Sequence, residues 1–268
     1  MTDQQALGLL TGLAAAALFG VAAVAQAHAV RRVGPRPTHL AGFVAQSVRD
    51  PITMLVVLAY LGGFVLHAVV IWLLPLYLAQ TLVSLSLPVT ALASRRVGDE
   101  LGASNWGGVL AVTAGLVLLS LGSGSPGDVL TTWSFAIPVA LGVVALCVVA
   151  AFTRGWGGAA LGALAGLGYA GSAIAVRGVG LPVEPAVVVT ALAVPIFGLV
   201  SFWVYSSGMH SSQVTSTTAP LIVGQMLVPS LVGVAWLGDG VRDGWTAAVV
   251  AGLVLAIGGA VSLSRSRA

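Results

Sequence analysis

The chain has 268 residues, 58% of them hydrophobic and only 7% charged, with a formal net charge of +3. A soluble domain of this length needs far more charge to cover its surface, so a soluble enzyme or carrier is excluded and lipid is the expected solvent. All 11 basic residues are arginines scattered between apolar runs, which is not the clustered basic face of a nucleic-acid binder.

A membrane span takes about 20 apolar residues. In chain order the runs 6–30, 52–73, 76–94, 106–122, 133–152, 157–176, 186–206, 214–237 and 245–263 meet that test, which makes nine. No basic residue precedes the first run, and it is long enough to cross, so it reads as a span and not as a cleaved signal. Residues 39–49 are too short and too polar to cross, and are expected in the interface or as a half-helix. Leu74 and Pro75 alone separate the second and third runs, so a tight hairpin is expected there. Cys147 lies in the fifth run, where it reads as a small buried hydrophobe. Trp72, Trp106, Trp133 and Trp245 fall at span ends, the usual place of interface anchors.

Nine crossings put nine of the 11 arginines on one side and leave Arg177 and Arg242 on the other. Positively charged loops stay in the cytoplasm, so the expectation is a multi-pass plasma-membrane protein with its N-terminus outside and its C-terminus inside.

The chain also repeats itself. Gly8, Gly12, Ala16 and Gly20 keep the same four-residue rhythm as Gly158, Gly162, Gly166 and Ala170. Val97-Gly98-Asp99-Glu100 followed by Trp106 parallels Leu237-Gly238-Asp239-Gly240 followed by Trp245. This divides the chain into a first repeat at 1–122, a linking segment with one span at 123–156 and a second repeat at 157–268. The odd span between them inverts the second repeat. The expected fold is therefore an all-α polytopic helix bundle of about nine spans in two inverted-topology repeats. The glycine rows read as close-packing devices between helices.

Residues 82–92, the Gly98-Asp99-Glu100 loop and the helix from Trp106 to Ser120 resemble the EamA-type repeat of the drug/metabolite transporter superfamily. Residues 219–237, Gly238-Asp239 and 245–262 are similar in weaker form. Residues 24–32 and 74–80 are closest in layout to the NIPA-like branch, which is associated with magnesium transport. The resemblance implies a transporter or facilitator that moves a small solute by alternating access at a central polar cavity. Mg²⁺ transport, a lipid-linked sugar flippase and a non-transporting scaffold subunit are the alternatives. No enzyme activity is expected, because no Asp or Glu falls inside a span to complete a catalytic constellation. No cofactor and no resident metal are expected either. The expected partners are a small-molecule substrate or cation and the lipid bilayer, with a homodimer allowed and no nucleic acid.

Polar side chains within spans are costly and so mark the candidate site. These are His67 in the second span, Gln80, Thr81 and Ser84 in the third, Tyr169 and Ser172 in the sixth, and Thr217, Thr218 and Gln225 in the eighth. The cavity is expected between the first, third, sixth and eighth spans. The bland reading of each Ser and Thr is a bond to its own helix backbone. Gln26 and His28 in the first span belong to the same polar set, and their bland reading is as side chains reaching the interface beside Arg31.

Overall fold

The computed structural model describes residues 3–33, 39–73, 82–98, 101–122, 124, 129, 131–210 and 212–265. The described elements are α1 (Asp3–Val33), α2 (Leu40–Arg49), α3 (Pro51–Leu73), α4 (Ser86–Ser94) with a 3-10 turn at Arg95–Val97, α5 (Ala103–Leu121), α6 (Trp133–Ala151), α7 (Gly158–Arg177), α8 (Pro185–Met209), α9 (Val214–Trp236) and α10 (Thr246–Arg265). A chain this apolar has no water to satisfy its backbone in lipid, and only helices bond every N–H and C=O within the segment.

Seven of these helices are long and apolar enough to cross a membrane, and eight if α2 and α3 count as one bent span. The outward faces carry large apolar side chains. Leu55, Leu58, Leu61 and Phe64 line one face of α3, and Ile137, Leu141, Val144 and Val148 line one face of α6. Such faces suit lipid and not water, so the protein is a membrane-embedded helix bundle. Cys147 lies on the exposed side of α6, which corrects the reading of it as buried: the helix packs on α7 and α8 with its other face.

Residues 74–81, where the third span was expected to begin, lie outside the described residues. From Leu82 the chain is helical again, with a turn at Leu85 before α4. The segment 39–49 is the helix α2, which meets α3 at 97°. The joint is built by Asp50 and Pro51. Pro51 begins α3, where its missing N–H costs nothing, and Asp50 caps the helix by accepting from the Thr53 backbone N–H (2.9 Å) and the Thr53 hydroxyl (2.7 Å). Arg32 at the end of α1 pairs with the other oxygen of Asp50. The end of α1 and the start of α3 therefore lie together.

Small residues set the packing. α1 packs on α3 and α4, while α7 packs on α8 and α9. A side chain at Gly12 would collide with Leu82, and one at Gly20 would come within 2.9 Å of the Ser86 carbonyl. A side chain at Gly162 would collide with the Thr217 carbonyl, and one at Gly166 would lie 2.5 Å from the Leu221 carbonyl. The two glycine rows are contact surfaces between helices. α5 and α10 cross the same way, with Gly115 against Gly252 and Gly108 against Gly259. Both Gly-Asp turns begin with a glycine in the left-handed region, Gly98 at φ 88° and Gly238 at φ 74°. At such a helix end a glycine carries no Cβ strain.

The core is Ala- and Val-rich and is filled by residues such as Leu87, Val109, Leu116, Val200, Val204 and Met209. At one end of the bundle Arg31 donates to three backbone carbonyls, those of Val97 (3.1 Å), Met209 (3.1 Å) and Ser212 (2.7 Å). A guanidinium there satisfies carbonyls that the 3-10 turn and α8 leave open at their C-termini. At another corner Arg177 forms a forked pair with Asp239 at 2.6 and 2.8 Å.

Candidate functional site

Gln26 is on α1, five residues before Arg31, and it is 1% exposed. Its amide nitrogen donates to Ser206 Oγ on α8 at 2.7 Å, and its amide oxygen accepts from the Tyr60 hydroxyl on α3 at 2.8 Å. Of the two readings of Gln26, candidate polar residue and interface residue, its burial favours the first. α1 continues to Val33, so the charge of Arg31 reaches the bundle end while Gln26 turns inward.

The network continues. Tyr60 and Tyr205 lie within electrostatic range of each other, and the Tyr205 hydroxyl meets Thr218 Oγ1 on α9 at 2.6 Å. Tyr169 on α7 lies within electrostatic range of both tyrosines. Phe202 stacks edge-on against Tyr60 at 6.2 Å and against Phe43 of α2 at 5.8 Å, linking the network to the bent helix. A buried amide with both ends bonded avoids the cost of an unpaired polar group in lipid.

A cavity of about 40 Å³ adjoins this network, lined among others by Gln26, Ser206, Ser207, Phe43, Thr53 and Asp50. That is room for a few waters at most. It shares Val33, Gln46 and Asp50 with a wider, open pocket of about 490 Å³ that also takes in Arg32 and Arg49. The two pockets lie side by side at the α1–α2 corner. Burial raises the Asp50 carboxyl, but the two Thr53 bonds and Arg32 outweigh it and hold the group below its ordinary value.

The expected site residues distribute unevenly. Gln80 and Thr81 lie outside the described residues. Tyr169 and Thr218 join the network through Tyr205. Thr217 bonds its own helix at the Gln213 carbonyl (3.1 Å), the bland reading for a membrane threonine. Ser172 donates to the Val194 carbonyl of α8 at 3.3 Å. Ser84 is buried, and Gln225 is half-buried on α9. His67 is half-buried on α3, and its Nδ1 has no bonding partner among the described residues. None of the seven described residues among the nine is in the described lining of either pocket; the cavity lies between α1, α2, α3 and α8.

Tyr60, Ser206 and Asp50 were not singled out from the sequence. A tyrosine in the middle of an apolar run is the one signal that marks Tyr60, since interfacial tyrosines belong at span ends. Among the described residues no three His, Cys, Asp or Glu side chains gather as a metal site. No family model matches the chain, and no curated protein and no solved structure matches it either.

Proposed function

We propose that the chain is a transporter or facilitator that moves a small solute by alternating access, built from two inverted EamA-like repeats. One observation carries the reading. Gln26 of α1 joins Tyr60 of α3 to Ser206 of α8, and Tyr205 of α8 meets Thr218 of α9, so polar side chains of both halves gather beside a cavity. Inverted-repeat transporters bind their substrate at such a junction near the midplane.

Three features support the repeat. The first helix of each half ends in an arginine that holds the turn after that half's third helix, Arg31 on the Val97 carbonyl and Arg177 on Asp239. Those turns share their positive-φ glycines. The helix adjacencies of α1 with α3 and α4 recur for α7 with α8 and α9. In this reading α2 does not cross, 76–94 is the third of nine spans, and the arginine-rich end faces the cytoplasm with the N-terminus outside. The pockets then open inward.

The polar part of the lining is amides and hydroxyls, with Asp50 already paired, set among apolar Ala29, Val30, Val33, Phe43 and Val56. It favours a neutral or zwitterionic solute, or a cation that keeps its water, over a bare divalent ion that demands several carboxylates. A thermal-shift screen of the purified protein against amino acids, nucleosides, quaternary amines, lipid-linked sugars and Mg²⁺ identifies the class. Flux of the best stabiliser is then measured in proteoliposomes. Uptake above protein-free vesicles that drops at least roughly tenfold in Gln26→Leu supports the proposal, a drop of about 1.4 kcal/mol in transition-state terms. Full flux in the variant refutes the site.

A further inference from the structure

We propose that the open pocket at the α1–α2 corner binds the phosphate-bearing headgroup of an anionic membrane lipid. This goes beyond transport and rests only on the protein being embedded in a membrane. The pocket holds about 490 Å³ and is lined by two arginines, Arg32 and Arg49, and by Gln46. Its one carboxylate, Asp50, is occupied: Arg32 takes one oxygen and Thr53 takes the other twice. Arg49 is exposed, and no described residue forms an ion pair with it. The balance is cationic, and a guanidinium fork matches phosphate oxygens.

The surroundings choose a lipid over a free anion. α2 lies at 97° to α3, so it runs across the end of the bundle in the manner of an interfacial helix. Val48, beside Arg49, is 63% exposed, and Val33 and Ala45 line the pocket itself. An arginine for the headgroup next to apolar side chains for the upper acyl carbons is the arrangement that basic pockets between membrane helices use for anionic lipids. Phe43, on the adjoining face of α2, packs on Phe202, so an occupied pocket would hold α2 against the bundle.

The test uses the full-length protein in neutral detergent, titrated with phosphatidylglycerol, with phosphatidylcholine of the same chains and with inorganic phosphate, and read by native mass spectrometry and thermal unfolding. Phosphatidylglycerol is expected to bind and to raise the unfolding temperature. Arg49→Gln is expected to weaken its apparent affinity roughly fivefold, the worth of one arginine at a lipid surface. Arg49→Lys is expected to retain most of the affinity, and Arg154→Gln, an exposed arginine remote in sequence, to retain all of it. Equal binding of phosphatidylcholine, an unchanged Arg49→Gln, or inorganic phosphate reproducing the whole effect at the same concentration would each overturn the proposal.

Discussion

Gln26 has both ends of its amide bonded to other helices, and that makes its replacement informative. Gln26→Leu keeps the volume but strands the Tyr60 and Ser206 hydroxyls, so a stability loss of about 1–2 kcal/mol is expected in thermal unfolding. A replacement of no consequence for unfolding would mean that the network is wet and loosely held. Asp50 predicts a pH effect. Its folded carboxyl sits below the ordinary 3.8, so its contribution is full above pH 3.8 and is lost as the pH falls below that value toward the folded one. Unfolding curves of wild type and Asp50→Asn should therefore converge on the acid side, with wild type the more stable above it. Curves that stay parallel down to acid would contradict the cap. Neither residue was readable in full from the sequence. Gln26 stands close to a charged helix end, and which face it occupies depends on where α8 lies. Asp50 sits between two runs, and its burial follows from a 97° bend that no local pattern specifies.

Helix crossings depend on residues too small to keep backbones apart. Gly162 has the Thr217 carbonyl where a side chain would go, whereas nothing lies within 4 Å of that position at Gly107. Gly162→Leu is expected to cost more than about 2 kcal/mol or to abolish folded yield, because backbone atoms cannot give way as side chains do. Gly107→Ala is expected to be neutral or slightly stabilising, since alanine is the better helix former. Detergent-resistant yield and unfolding temperature read both, and equal effects at the two positions would contradict the packing account. The glycine rows were legible because a four-residue rhythm marks one helix face whatever it touches. Their partners, Leu82 and Ser86 for one row and Thr217 and Leu221 for the other, were not, because pairing is a property of the assembled bundle.

At the scale of the molecule, hydropathy outlined the helices well. The run 133–152 became α6 (Trp133–Ala151), and 214–237 became α9 (Val214–Trp236). Apolarity and backbone satisfaction are both local, so a sequence carries them openly. The site was less legible, since a cavity is made where helices from the two halves meet. Of the seven expected residues that are described, only Thr218 is bonded into the observed network, through Tyr205, with Tyr169 within electrostatic range. Sidedness is a further expectation of the whole chain. Reporter fusions after Arg265 should report the cytoplasm, and insertion at Arg242 the opposite side; the reverse pattern would contradict the arginine reading.

Alternating access itself can be tested without knowing the substrate. Ser207 lines the inner cavity and is 7% exposed, and replacing Cys147 by alanine removes the one native thiol. In that background Ser207→Cys would be treated with a membrane-impermeant maleimide in right-side-out and in inverted vesicles. The account predicts labelling from both sides, faster in inverted vesicles, where the open pocket of Arg32 and Asp50 faces the reagent. Labelling from one side only, with none from the other at long times, would contradict it and leave a fixed one-sided pocket.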